Sequence, residues 1–436
     1  MARYLLAATA IPGHANPVIA IAGGLSARGH DVVVHTGSVF ASAVARSGAR
    51  FVPLVPEIDI DYRTIDARFP ERAALPPGAA QVLWGVRHLF ADAIPAQYRG
   101  LCSILRDFPA DAVLADMMFM GTLPLLLRPR VARQVVAHVG TSSLALSGPE
   151  VAFFGAGLPP ARTAQQRARN EAAARFMERQ VFSVVQNYIN DVLKDCGAPK
   201  LPCFATDAVI TLPDAYFQLG VPALEYDRAL PSAIHFIGAL PGPAPDRPLP
   251  SWWDDLEAAR AAGRKIVMVT QGTIANADLG QLVLPGLAAL ARHDDVLLLA
   301  ATPGADAALL EVPENARVAD FIPYAAAFPY LDLLITNGGI GGVLLALRHG
   351  VPLLVAGDTE EKPEVAARVA YTGAGINLAT GHPEVGLIEA AAREILADPA
   401  YRAAAARLAA QLEAVDALDT IEAVLAEERA KPSVAA

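Results

Sequence analysis

Between Leu240 and Pro250, prolines fall at positions 241, 243, 245, 248 and 250, too closely spaced for a helix or a central strand to contain them. Such a segment is a stiff, extended connection. It divides the chain into stretches 1–239 and 251–436, joined through 240–250. The division is needed, because 436 residues exceed what one hydrophobic core supports. Hydrophobic residues make up 53% of the chain and charged residues 18%, which is enough apolar surface for sheets covered on both faces.

Within each stretch, short apolar runs alternate with helical patterns. The expected strands are 3–10, 31–36, 51–54, 112–114, 135–139, 206–212 and 215–219 in the first half. In the second they are 265–270, 296–300, 316–319, 333–336 and 353–356. Helices are expected over 40–47, 82–108 and 163–196, then over 280–292 and 341–349. The first helix is expected to start at Asn16-Pro17, an N-cap followed by proline at the first helical position, and to end near Gly29. Strand-helix alternation predicts parallel α/β sheets wound on both faces. Two such halves imply two Rossmann-like domains facing each other across a cleft, with the final helices free to pack back on the N-terminal domain. Ligands of these sheets bind outside the carboxyl ends of the strands, so the chemistry is sought just after strands.

The formal net charge of -10 argues against nucleic acid, which is bound through clustered Lys and Arg. A small-molecule partner is expected instead. Cys102, Cys196 and Cys203 lack metal-ligand spacing and fit buried thiols in a reducing compartment. No uninterrupted apolar run approaches the roughly 20 residues of a membrane span, and the apolar N-terminus is broken at Pro12-Gly13-His14. A cytoplasmic protein with no stable membrane insertion is therefore expected.

His14 follows the first strand in Pro12-Gly13-His14-Ala15-Asn16-Pro17 and is expected to project into the cleft. With a reference pKa of about 6.5, a histidine there can take a proton from a hydroxyl near neutral pH; a loop histidine that only packs is the alternative. Asp116 follows the strand at 112–114. A carboxylate bonded to one imidazole nitrogen sets the tautomer and stabilises the imidazolium; an aspartate that caps the next helix is the alternative. Asn337-Gly338-Gly339-Ile340-Gly341-Gly342 lies between a strand and a helix. Glycines at such a turn let backbone N–H groups approach a diphosphate, and the helix dipole adds positive potential. Met117, Met118, Phe119 and Met120, with Trp84, Phe153 and Phe154, offer an adaptable apolar acceptor pocket; core packing is an equal alternative for each. Asp59-Ile60-Asp61 and Asp254-Asp255 are carboxylate clusters better explained by a loop and a helix start than by a metal.

Taken in order, Pro12-Gly13-His14, Phe236-Ile237-Gly238, Val269-Thr270-Gln271-Gly272-Thr273, Asp320-Phe321-Ile322-Pro323 and Asn337-Gly338-Gly339 through Gly350-Val351-Pro352 resemble the GT-B fold family of nucleotide-sugar glycosyltransferases. That family includes plant-type and antibiotic glycosyltransferases acting on small molecules. The resemblance implies an inverting transfer from a UDP- or dTDP-sugar to the hydroxyl of a small, apolar acceptor such as a natural product. His14 would be the base, oriented by Asp116. The donor would lie on Thr270, Gln271, Gly272 and Thr273, on the backbone around Ile322, and on the turn Asn337, Gly338, Gly339, Ile340, Gly341 and Gly342. The sugar end would meet Glu361 and Lys362. No metal and no cofactor beyond the nucleotide sugar are implied.

The chain departs from the family pattern in several places. Asn337 stands where histidine is usual, Gly342 replaces a small hydroxyl residue, Leu345 replaces a ribose-binding glutamate, and Glu361-Lys362 replaces an Asp-Gln pair. Side-chain contacts to the donor are thus thinned, and thymidine and uridine donors become equally plausible. Two alternatives stay open at this stage: a nucleotide-sugar epimerase on the same fold, and a catalytically silent partner protein. A nicotinamide enzyme is disfavoured, because the first turn lacks the three-glycine dinucleotide fingerprint.

Overall fold

The computed structural model describes residues 1–75, 79–241, 248–272, 278–303 and 311–431. Part of the proline-rich connection, including Pro243 and Pro245, lies outside the described residues, as does Thr273.

The first half contains strands β1 (Arg3–Ala7), β2 (Asp31–Thr36), β3 (Arg50–Pro53), β4 (Ala112–Asp116), β5 (Val135–Gly140), β6 (Ala215–Gln218) and β7 (Ile234–Phe236). They form a sheet of order β3-β2-β1-β4-β5-β6-β7, parallel throughout. The second half contains β8 (Lys265–Thr270), β9 (Val296–Ala301), β10 (Ala316–Ala319), β11 (Leu333–Thr336), β12 (Leu353–Val355) and β13 (Gly375–Asn377). These form a second parallel sheet of order β10-β9-β8-β11-β12-β13. The chemistry of the strands explains their depth: β4 and β5 are buried along their whole length, as apolar runs covered by helices on both faces must be.

In each sheet the strand order reverses once, between β1 and β4 and between β8 and β11. Crevices for ligands open at such reversals. His14 and Asp116 follow β1 and end β4; Gln271 and Asn337 follow β8 and β11.

Helix α1 runs Pro12–Ala27, one turn earlier than the Asn16-Pro17 signal suggested. Pro12 occupies the first turn, where its missing N–H costs nothing, and Pro17 is carried inside the helix. His14 therefore sits on the first helical turn rather than in a loop. The stretch expected as strand 206–212 is a helix, Ala205–Thr211, burying Ala208, Val209 and Ile210. A short apolar run of this kind has no period that separates strand from buried helix, and the edge strand is supplied by β7.

Four further helices matter below: α2 (Ile340–Arg348), α3 (Lys362–Thr372), α4 (Pro399–Glu413) and α5 (Ala417–Ala430). The last of these lies against the first half. Arg28, just past α1, pairs with Asp416, Asp419 and Glu422, and Arg429 pairs with Asp111 at 2.9 Å. At Gly24 the packing is so close that a β-carbon would collide with the Leu418 side chain.

Candidate active site

Asp116 ends β4 with no exposed surface. Its Oδ2 accepts the Thr9 N–H at 2.6 Å, and its Oδ1 accepts the Met118 N–H at 2.8 Å. The same Oδ1 lies 2.8 Å from Nδ1 of His14. A carboxylate at that distance holds the proton on Nδ1 and leaves Nε2 as the basic nitrogen. Thr141 Oγ1, just after β5, is 3.2 Å from the same Nδ1, and the Phe90 ring centroid is 6.2 Å from the imidazole. The His14 side chain keeps 20% of its surface accessible.

Burial alone would push the His14 pKa down, but the charge and hydrogen bond of Asp116, helped by Glu361 and Glu360, outweigh it and raise the pKa above 6.5. For Asp116, burial favours protonation, yet His14 and the two backbone N–H groups hold the carboxyl below its ordinary value. His138 provides the contrast. It is fully buried, bonded to the Val209 carbonyl and to Thr122, and without a carboxylate in contact burial drives its pKa down to about 4.

At the turn after β11, Gly338 adopts φ +93°, the left-handed region open to glycine, and a β-carbon there would lie 2.7 Å from Val355 Cγ1. Gly339 then caps α2 in an extended conformation. A β-carbon at Gly339, Gly341 or Gly342 would meet nothing within 4 Å, so the first turn of α2 presents its free N–H groups with no side chain over them. Ile340 opens the helix and is buried. Asn337 donates from Nδ2 to the Gln271 carbonyl at 2.7 Å, tying the end of β11 to the end of β8. The residue that departs from the family's histidine thus braces the turn.

Gln271 turns its side chain inward: Oε1 accepts the N–H groups of Leu282 and Val283, and Nε2 donates to Asp278. Its side chain thus ties the end of β8 to the start of the helix that follows. Thr270 Oγ1 pairs with Tyr324 OH at 2.6 Å and accepts the Gly272 N–H at 3.0 Å. Ile322 is buried in the loop after β10.

The segment before α3 reaches towards His14. Glu361 is largely enclosed, and burial raises its pKa against the opposing charge of Lys362. Lys362 is itself buried, and its ammonium is committed to Glu360 and, at 3.3 Å, to Thr359 Oγ1. Glu360 has φ +56°, unusual for a residue with a side chain. It also hydrogen-bonds Tyr62 of the first half, whose phenol is pushed up to about 12 by burial and by this carboxylate.

The expected acceptor pocket is only partly assembled. Met117, Phe119 and Met120 are buried in the core, which corrects their assignment to a pocket wall. The chain after Asp116 folds down into a short helical turn, Met120–Thr122, whose Gly121 N–H is held by Gln97. Met117 is instead a sulfur acceptor for the Tyr216 hydroxyl at 3.3 Å. Met118 remains partly accessible, with its N–H on Asp116. Trp84 packs against Phe69 and His88, and Phe153 against Phe182 and Phe204. Phe154 is partly buried against the core. Phe90 and Thr141 also lie beside His14; Phe90 has no local signal in the sequence, whereas Thr141 directly follows a strand, where ligands of such sheets bind.

Asp59 ties the loop after β3 to the turn after β2, accepting from the backbone and hydroxyl of Ser38, and Asp255 pairs with Arg317. Among the described residues, no group of three or more His, Cys, Asp or Glu is arranged to hold a metal. Likewise, no helix among them is long and apolar enough to cross a membrane.

Residues 285–421 match the family model of the erythromycin biosynthesis protein CIII-like C-terminal domain. The chain is 39% identical to 4'-demethylrebeccamycin synthase of Lentzea aerocolonigenes, across 97% of this chain and 100% of that protein. It is 35% identical to UDP-glycosyltransferase 2 of Phaeomoniella chlamydospora, across 96% and 94% of the two chains. The solved glycotransferase of kitacinnamycin superposes with a TM-score of 0.74 over 99% of both chains at 20% identity, a likeness of fold. This chain therefore belongs to the GT-B fold family of nucleotide-sugar glycosyltransferases.

Proposed function

We propose that this glycosyltransferase carries out an inverting transfer from a uridine or thymidine diphosphate sugar to a hydroxyl of a small, apolar natural product. The observation that carries the reading is the His14–Asp116 pair, held at one switch point with Nδ1 on the carboxylate, Nε2 free, and the imidazole within the field of Glu360 and Glu361.

In this reaction Nε2 of His14 takes the acceptor's hydroxyl proton while the hydroxyl oxygen bonds to the anomeric carbon. The bond from that carbon to the diphosphate oxygen breaks, and the nucleoside diphosphate departs with the electron pair. Asp116 keeps its own charge and stabilises the imidazolium, as in other carboxylate–histidine pairs. The open first turn of α2 receives the diphosphate through backbone N–H groups and the helix dipole, with no metal required in that role. The nucleoside lies towards Ile322, and Phe90 and Met118 border the acceptor end. Leu345 supplies no carboxylate for a ribose hydroxyl, so thymidine and uridine donors are both accepted.

A thermal-shift panel tests the reading, since a ligand that binds only the folded state raises the midpoint according to its affinity. UDP, dTDP and their glucose conjugates are expected to raise it, and the conjugates to be slowly hydrolysed without acceptor. No shift with any of the four would sink the proposal.

A further inference from the structure

The first half carries an irregular loop between β5 and the helix Ala164–Phe176, and this loop holds Phe153 and Phe154. Its backbone takes left-handed conformations at Gly155 (φ +98°) and Gly157 (φ +59°). The groups that fix these two residues come from the other half of the molecule. Glu364, in the first turn of α3, accepts both the Gly155 N–H and the Gly157 N–H on its Oε1, each at 2.9 Å. Its Oε2 takes Arg368 Nη1 at 2.9 Å. Arg368 in turn grips both carboxylate oxygens of Glu225 in the first half, at 3.0 to 3.1 Å, and lies 4.5 Å from the Tyr226 ring centroid. Glu225, Glu364 and Arg368 are all buried.

Stability alone does not account for this placement. A buried carboxylate that satisfies two backbone donors of a loop more than two hundred residues distant fixes that loop's shape, because each donor left unpaired would be penalised. The fit is close: a β-carbon on Gly157 would lie 2.7 Å from Pro363 Cβ. Two residues before Pro363 is Glu361, whose charge acts on His14. The helix that begins at the sugar end of the site thus also moulds the loop bearing Phe153 and Phe154.

We propose that Glu364 is a positioning residue for acceptor recognition, holding the 153–157 loop in register with the donor end of the cleft. The inference rests on the transfer reading above, and its test separates the two. Hydrogen exchange of peptides covering 150–160 is compared in wild type, Glu364→Ala, Glu364→Gln and Gly155→Ala. Gly155 has nothing within 4 Å of a β-carbon, so Gly155→Ala perturbs the loop through its backbone conformation alone and leaves the ion pairs intact. Exchange in the loop is expected to be at least about tenfold faster in Glu364→Ala and Gly155→Ala, with core peptides of both sheets unchanged. Glu364→Gln keeps a carbonyl oxygen for the two N–H groups and is expected to restore most of the protection. In the same proteins, hydrolysis of UDP-glucose or dTDP-glucose without acceptor is expected to stay within about threefold. KM for the best acceptor in a panel of apolar phenols is expected to rise about tenfold or more in Glu364→Ala, with kcat changed less. Unchanged loop exchange in both Glu364→Ala and Gly155→Ala, or equal losses of acceptor use and donor hydrolysis, would overturn the positioning role. Failure of the wild type to bind or hydrolyse either nucleotide sugar would instead count against the transfer reading, and the exchange result would still decide the loop contact.

Discussion

Nδ1 of His14 lies 2.8 Å from Oδ1 of Asp116, and the carboxylate is fixed in turn by the N–H groups of Thr9 and Met118. The imidazole is therefore oriented by a group that cannot itself rotate, and Nε2 is the nitrogen left for chemistry. General-base contributions of this kind are worth about 10² to 10⁴ in rate. His14→Ala is expected to lose turnover by that factor while binding UDP or dTDP normally. Asp116→Asn is expected to lose about 10² or more, since an amide neither fixes the tautomer nor stabilises the imidazolium. Single-turnover kinetics beside nucleotide titration checks both, and near-normal turnover in His14→Ala would remove the residue from the mechanism.

The raised pKa of His14 has a defined sign. The base of the proposed mechanism acts in its neutral form, so kcat/KM is expected to rise with pH through a midpoint above 6.5. Asp116→Asn removes the main opposing charge and leaves burial, so its residual activity is expected to titrate at lower pH. Stability follows the opposite course. The contribution of protonated His14 is complete below the unfolded value of about 6.5 and is lost as pH rises through the folded pKa. Asp116, with its depressed pKa, stabilises above its unfolded value, and that contribution is lost as pH falls through the folded one. Rate profiles and urea midpoints across pH 5 to 9 separate these effects; a midpoint of kcat/KM below 6.5 in the wild type would contradict the electrostatics.

Valine at Gly339 or Gly341 is expected to leave the fold intact and to weaken UDP or dTDP binding by about tenfold or more. Neither glycine has a positive φ, and neither β-carbon would meet protein within 4 Å, so the added side chain fills only the space that the proposed mechanism gives to the phosphates. Gly338→Val is expected to behave differently and unfold the turn, because φ +93° and Val355 at 2.7 Å exclude a side chain. Calorimetric titration of folded variants decides the point, and unchanged affinity in Gly339→Val and Gly341→Val would place the diphosphate elsewhere.

Ion pairs in this protein are expected to differ in worth according to burial. Arg368→Ala leaves Glu364 buried without its counter-charge and Glu225 with Arg228 alone, at 3.5 Å, a change of about 3 to 5 kcal/mol. Arg317→Ala breaks a partly exposed pair with Asp255 and is expected to cost about 1 kcal/mol or less. Urea unfolding followed separately in the two halves measures both, and comparable losses would refute the ranking.

Much of the candidate site was legible because its residues lie after strands, where parallel sheets open crevices for ligands. His14, Asp116 and the glycine turn all follow strands, and the alternation of elements identified those strands. The start of α1 was misread because Asn16-Pro17 carries the same cap signal as a true terminus, while the helix had already begun at Pro12. Met117, Phe119 and Met120 could not be told from pocket residues by composition, since adaptable apolar side chains suit a core and a pocket alike. The bracing role of Asn337 and the inward turn of Gln271 depend on partners many residues away and have no local signature.

The way α5 lies across the first half bears on how such enzymes can be recombined. Leu418 fills the space that Gly24 leaves, and Arg28 is paired with Asp416, Asp419 and Glu422. A hybrid joined once at the proline-rich connection would bring a foreign α5 onto a native α1, placing an unmatched side chain against Gly24 and unmatched charges around Arg28. Exchanging donor domains between relatives therefore calls for two junctions, one near residue 245 and one between α4 and α5, so that the last helix travels with the sheet on which it rests.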